Sequence, residues 1–428
     1  MKLERVKGMR DFSSEDMILR NFVLNTIRKG FEIFGFEPLE TPALEYWSTL
    51  SAKGAGGSEI LNETYVFKDK GNRDVALRYD LTVPLARFIA MNPNLPLPFK
   101  RYQIDRVWRY SDVAKGRLRE FLQADIDTIG SDSMLADAEV ISCAIFILKK
   151  LKFREFSVRL NNRKILSAII KFSGVNEDKE IEVLRVIDKL DKIGKEGVRD
   201  ELSKIISSEK IERIFDILDI CGEPEKILQC AEELVGESPE GKEGISELKK
   251  LLSYLNKFGN YSEVKIDLSL ARGLDYYTGP IFEISATENI GSIAGGGRYD
   301  KMIGIFLGRE IPATGISLGI ERIIEIIKER KIFSFEKTNT KVFVASTNET
   351  LFEETLKIAN ELREKDIPTT IDLRNRNLSK QLEFASSIGI PIVLIVGQKE
   401  LREGKVTLRN MKTGEQKTVE IEKIGEEL

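Results

Sequence analysis

The sequence predicts an α+β protein of two or three domains, and three observations carry that expectation. Short β-branched and aromatic runs broken by Gly, Asn and Pro occupy residues 35–130, amphipathic helical repeats fill about 151–260, and strands alternate with helices after 341. A chain of 428 residues exceeds what one hydrophobic core usually organises. Its 42% hydrophobic and 32% charged content provides enough apolar surface to offset chain entropy, which excludes wholesale disorder.

Ser13 and Ser14 precede Leu19, Phe22, Val23 and Ile27, one apolar helix face behind N-cap residues, so a helix is expected from about Ser14 to Phe34. TYVF (64–67), DVALRYD (74–80) and FKRYQIDRVWRY (99–110) read as antiparallel strands. In the helical stretch, Val183, Val186, Ile187 and Leu190 form one stripe at i, i+3, i+4, i+7 spacing, and Ile211, Ile214, Phe215 and Leu218 form another. VKIDLSLARGLDYYTGPIFEIS (264–285) and SIAGGGRYDKMIG (292–304) return to strands and glycine turns. GISLGIERIIEIIKER (315–330) is a strand-like run entering a helix, so the helical module is an insertion into a sheet that resumes after it.

Beyond the polar FEKTNT (335–340) come KVFVAS (341–346), a helix around Leu351–Arg363, TTIDL (369–373), a helix around Ser379–Ile388 and the continuous apolar PIVLIVG (391–397). That alternation predicts a small parallel α/β domain, with an edge hairpin around Lys-Thr-Gly-Glu at its end. The expected domains are a discontinuous one over 1–150 and 261–332, the insertion over 151–260, and a C-terminal one over 339–428.

The chain contains no histidine, which removes the commonest general base and metal ligand together. Any catalysis must use carboxylates, Arg, Lys, Tyr or a bound ion. Cys143, Cys221 and Cys230 lie in no CxxC pair, so neither a disulfide framework nor a cysteine zinc site is expected. A net charge of −3 gives no global pull on nucleic acid, and such a partner must be met by a local basic face. No apolar run approaches the ~20 residues of a membrane span and the start lacks a signal-peptide core, so a cytoplasmic protein is expected.

The richest chemistry lies in KRYQIDRVWRYSDVAKGRLREFLQADIDTIG (100–130). Arg106, Arg109, Lys115, Arg117 and Arg119 cluster around a Gly-containing turn, and Asp125 and Asp127 share one face of the following strand. Such an arrangement supplies cations for a phosphate and acids for a cationic ligand group; equally, it describes a solvated charged hairpin. LARGLDYYTGPIFE (270–283) sets Arg272, Asp275, Tyr276 and Tyr277 between glycines, a mixture suited to a small-molecule pocket or to a packed turn. AGGGRYD (294–300) could bring amides near an anion, although GxGxxG spacing is absent, as is a P-loop.

Taken together, KGMRDF (7–12), FGFEPLETPALE (34–45), LRYDLTVPLARF (77–88), the 100–130 segment, ARGLDYYTG, AGGGRYD and GISLGIERI (315–323) resemble, in order, the motifs of the histidyl-tRNA synthetase family. ARGLDYYTG is the most discriminating of these. The resemblance implies a class II antiparallel-sheet catalytic domain with a helical insertion, and a C-terminal α/β anticodon-binding domain. It implies ATP-dependent activation of L-histidine, charging of tRNA(His), a magnesium requirement with unknown ligands, and a homodimer. By matching positions, Asp80, Thr82 and Gln123 fall where the family binds the α-amino group. Asp127 and Tyr277, with Tyr276 beside them, fall at the imidazole. Arg109 and Arg272 resemble the catalytic arginines on either side of the α-phosphate, and Arg109, Arg119 and Arg322 the ATP-binding set. Gly295, Gly297 and Tyr299 would line the amino-acid pocket. Bacterial members often carry a His-Glu pair where this chain has Tyr110 and Ser111; its Tyr-Asp-Leu-Thr and Gln-Ala-Asp-Ile-Asp patterns look archaeal or eukaryotic. The competing reading is a non-charging paralogue such as the regulatory subunit of ATP phosphoribosyltransferase, a class that usually lacks the C-terminal domain.

Overall fold

Alternation along the strand Glu120–Ile129 explains how this chain builds both a core and a site from one sheet. Ala124 and Ile126 are fully buried on one face, while Gln123, Asp125 and Asp127 stand on the other. The computed structural model describes residues 2–52, 61–114, 116–274, 276–286 and 291–427. They form two compact units, residues 1–10 with 23–332 and residues 11–22 with 333–428.

The first unit is organised by an eight-stranded sheet in the order 37–38, 99–108, 120–129, 313–319, 292–298, 280–285, 157–162, 264–266. Its six central strands pair antiparallel, and a parallel pairing closes each edge. This is the α+β class that the sequence predicts. The apolar face is covered by the helix Met134–Lys150, capped by Ser133 Oγ accepting from the Leu135 amide. Val140, Ile141 and Ala144 of that helix are fully buried. A smaller sheet of 44–46, 74–77 and 66–68 stands beside it.

The first helix spans Ser14–Ile33, as expected. Within AGGGRYD, Gly295, Gly296 and Gly297 all lie in the strand Ser292–Arg298. The stripe of Val183, Val186, Ile187 and Leu190 belongs to two helices, Glu180–Ile187 and Leu190–Leu202, and the second is interrupted at Gly194, whose φ of 69° is non-helical. The stripe through Ile211, Ile214, Phe215 and Leu218 is buried along Ser208–Leu218.

In the second unit, three parallel strands, Thr369–Ile371, Val342–Ser346 and Ile392–Val396, continue into the antiparallel hairpin Lys405–Asn410 and Gln416–Glu420. Val342, Val344, Leu394 and Val396 pack on one side with Ile358 and Leu362 of Phe352–Glu364, whereas Phe343, Ala345 and Val393 pack on the other with Ala385 of Leu378–Ser387. Burial on both faces is why these strands read as unbroken apolar runs.

Candidate active site

Across the polar face of the large sheet, strand register lines residues up in rows. One row runs Arg101, Asp127, Gly315, Gly297; the next runs Gln103, Asp125, Ser317, Gly295, Glu283, Arg159. Above them lies a cavity of about 420 Å³. Asp80, Thr82, Arg109, Gln123, Asp127, Arg272, Tyr276, Tyr277, Gly295, Tyr299 and Arg322 all line it, although they are spread over more than 240 positions of the chain.

At one end the cavity is acidic. Asp127 is held from two sides: Arg101 Nη2 lies 2.7 Å from its Oδ2, and the Tyr299 hydroxyl donates to its Oδ1. Burial pushes its pKa up, and the Arg101 charge and the Tyr299 hydrogen bond oppose that push. Gly315 is required beside it, since a Cβ there would come within 2.0 Å of Asp127 Oδ1. Burial raises Asp125 to about 7 and Asp80 to about 6. Asp80 Oδ1 accepts from the Val83 amide at 3.2 Å, tying it to the start of the helix Thr82–Met91. Gln123 Nε2 donates to Ser317 Oγ at 3.1 Å, while Gln123 Oε1 and Asp125 Oδ1 have no hydrogen-bond partner among the described residues. Buried acceptors of this kind call for a donor-rich ligand.

The other end is cationic. Arg109 Nε donates to the Tyr79 carbonyl at 2.9 Å, with its guanidinium 5.4 Å from the Phe121 ring centre. Arg272 donates to the Glu283 carboxylate and, at 3.4 Å, to Ser292 Oγ; Arg322 donates to the Ser292 carbonyl. Arg322 is pushed below its usual pKa by burial and by the charges of Arg272 and Arg117. That mutual repulsion is relieved by an anion. Gly295 admits Arg272, because a Cβ there would meet its guanidinium carbon at 2.2 Å.

Tyr276 and Tyr277 form the side wall, their ring centres 4.3 Å apart. Gly273, at φ 55°, leaves room for the Tyr277 ring. Gly297 is not in the lining but makes space behind it, a Cβ there meeting the Tyr277 ring at 2.9 Å. Arg119 is also outside the lining: it donates to the Ser111 carbonyl at 3.1 Å and stacks 3.7 Å over Tyr110. Asp275 and Lys115 lie outside the described residues. Sequence reasoning gave no role to Arg101, Ser317, Glu321 or Lys192, of which the last three line the cavity. None of the four had a local signal; Arg101 is marked only by the register that sets it opposite Asp127.

A site with a carboxylate end for cations and an arginine end for phosphates is suited to a zwitterionic metabolite beside a nucleotide. On this sheet, it places the protein among the class II aminoacyl-tRNA synthetases. The histidyl-tRNA synthetase family model matches residues 8–323, and an anticodon binding domain model matches 341–428. The histidine–tRNA ligase of Aeropyrum pernix is 43% identical over 417 residues, 96% of this chain and 94% of that protein. That of Korarchaeum cryptofilum is 42% identical over 428 residues, 99% of this chain and 97% of that protein. The crystal structure of histidyl-tRNA synthetase from Nostoc sp. PCC 7120 superposes with a TM-score of 0.87 at 32% identity, with both chains fully covered. The chain belongs to the histidyl-tRNA synthetase family.

Proposed function

We propose that the chain activates L-histidine with ATP to histidyl-adenylate and transfers the histidyl group to the 3′ end of tRNA(His). The observation that carries this reading is the joining, in one cleft, of Asp80 and the buried Asp125 and Asp127 with Arg109, Arg272 and Arg322. A charging enzyme is favoured over the regulatory paralogue by full-length similarity to histidine–tRNA ligases, extending through 341–428.

In this reading Asp80, Thr82 and Gln123 hold the α-ammonium group, and Asp127 and Tyr277 hold the two imidazole nitrogens. The histidine carboxylate then attacks the α-phosphorus of ATP, and pyrophosphate leaves. Both reactants are anions, so positioning and charge neutralisation do the catalysis and no enzyme base is needed. Arg109 and Arg272 stabilise the α-phosphate from opposite sides, and Arg322 holds the terminal phosphate; the planar fork of guanidinium suits all three tasks. The tRNA 3′-terminal hydroxyl afterwards attacks the adenylate carbonyl, releasing AMP.

Among the described residues no three Cys, Asp or Glu side chains cluster to cage an ion. Magnesium would therefore be held chiefly by ATP phosphate oxygens and water, and its charge would offset theirs. We further propose a homodimer, supported by the exposed apolar Leu44, Tyr46, Val66 and Phe67 of the small sheet, an anticodon-binding role for 341–428, and a cytoplasmic location. No helix among the described residues is long and apolar enough to cross a membrane. Histidine-dependent ATP–pyrophosphate exchange tests the activation step: the reading expects exchange with histidine and none with other amino acids, and a folded chain that exchanges with neither would refute it.

A further inference from the structure

Arg272 is connected to the helical insertion by a continuous line of charges. Its Nη1 donates to Glu283 Oε2. The other oxygen of Glu283 faces Arg159 Nη1 at 3.5 Å, the two residues lying directly opposite in adjacent strands. Arg159 is a three-way junction: Nη1 also donates to Asp191 Oδ2 at 2.6 Å, and Nε donates to Asp267 Oδ2 at 2.6 Å. Asp191 stands in the first turn of Leu190–Leu202, within the insertion.

Three further features set this line apart from an ordinary surface ion pair. Lys192, next to Asp191, lines the active-site cavity, so the same turn of the insertion reaches both the junction and the site. The turn is set off from the rest of its helix at Gly194, whose φ of 69° and ψ of 176° break the helical path. Arg159 and Glu283 are also well covered, with side chains only 19% and 14% exposed, so their attraction is weakly screened by water.

The carboxylate of Glu283 is shared between two arginines. While Asp191 and Asp267 hold Arg159, its charge is balanced on the far side and Glu283 is oriented by both neighbours. Loss of Asp191 leaves Arg159 with more unbalanced charge directed at Glu283, competing with Arg272 for the same carboxylate. Arg272 then loses the partner that fixes its fork against the cavity. We propose that Asp191, Arg159 and Glu283 are positioning residues through which the helical insertion holds Arg272 in the geometry needed for adenylate formation. The proposal rests on the reading of this cleft as the histidine-activating site.

The test is histidine-dependent ATP–pyrophosphate exchange by the full-length chain, which requires no tRNA and so separates this role from any contact of the insertion with tRNA. Asp191 is 65% exposed, so Asp191→Asn is tolerated by the fold, which an unchanged urea midpoint verifies. Coupling within one ionic network typically corresponds to a few-fold to about 100-fold; Asp191→Asn is expected to lower kcat about 3–10-fold with histidine KM nearly constant. Asp191→Glu, which keeps the charge, is expected to recover most of the rate. In a double variant with Arg159→Gln, Asp191→Asn should add no further loss. If Asp191→Asn exchanges at the wild-type rate, or if the two losses multiply, the relay is wrong. A wild-type chain without exchange overturns the functional reading and this proposal with it, whereas an active wild type with indifferent variants overturns the relay alone.

Discussion

Arg101 and Asp127 face each other directly across the central hairpin, Nη2 to Oδ2 at 2.7 Å, both side chains almost wholly buried. The pair fixes the carboxylate that the proposed histidine pocket depends on. Replacing one partner leaves a buried charge uncompensated, so Arg101→Met should destabilise the fold by about 3–5 kcal/mol, read from urea unfolding.

Asp127→Asn should act on histidine affinity. The amide keeps the shape but loses the charge that meets the imidazole, and steady-state exchange should show a raised histidine KM with a smaller change in kcat. Equal falls in kcat and kcat/KM would place Asp127 at the reacting centre instead.

Removing one preorganised donor to a developing charge typically lowers the chemical rate ~10²–10³-fold. Arg272→Ala is expected to lose that much exchange, with Arg272→Lys recovering little because one ammonium cannot reproduce the planar fork. A folded Arg272→Ala chain with near-wild-type exchange would discard the assigned mechanism while leaving the family membership intact. Gly295→Ala reaches the same residue from below: a Cβ there, 2.2 Å from the Arg272 guanidinium carbon, displaces it, and kcat should fall without a comparable change in histidine KM.

Burial raises Asp125 to about 7 and Asp80 to about 6, well above the ordinary carboxylate range. Their native forms therefore hold protons that the unfolded chain has released between about pH 4 and pH 7. Their contribution to stability is full below pH 4 and is lost as pH rises through 6 and 7. Urea midpoints of the ligand-free chain should show that contribution falling from pH 5 to pH 8, and Asp125→Asn should reduce the fall, an effect of order 1–4 kcal/mol. An unchanged pH dependence in Asp125→Asn would mean that the carboxyl is not desolvated as described.

Local periodicity made much of the fold legible. The helix Ser14–Ile33 and the C-terminal strands announce themselves because each buries a face or a run that repeats along its own length. Leu190 fits the spacing of the stripe before it but opens the next helix, because the break after Ile187 is made by polar residues with no Gly or Pro to mark it. The glycines at 295–297 serve the strand by admitting Arg272 and leaving space behind the Tyr277 ring, a role that no local pattern announces. In the site, most of the motif residues come together around the cavity, whereas residues supplied by register or by distant elements carry no local mark. Arg101 acquires meaning only once it is known to oppose Asp127, and Lys192 only once the insertion is known to reach the cavity.

The central claim is tested most directly by incubating the chain with ATP, magnesium, labelled L-histidine and a tRNA(His) transcript, and measuring acid-precipitable label on the tRNA. The account predicts ATP-dependent label on tRNA(His), abolished when histidine is replaced by another labelled amino acid supplied alone. A folded chain that leaves tRNA(His) unlabelled under these conditions would contradict it.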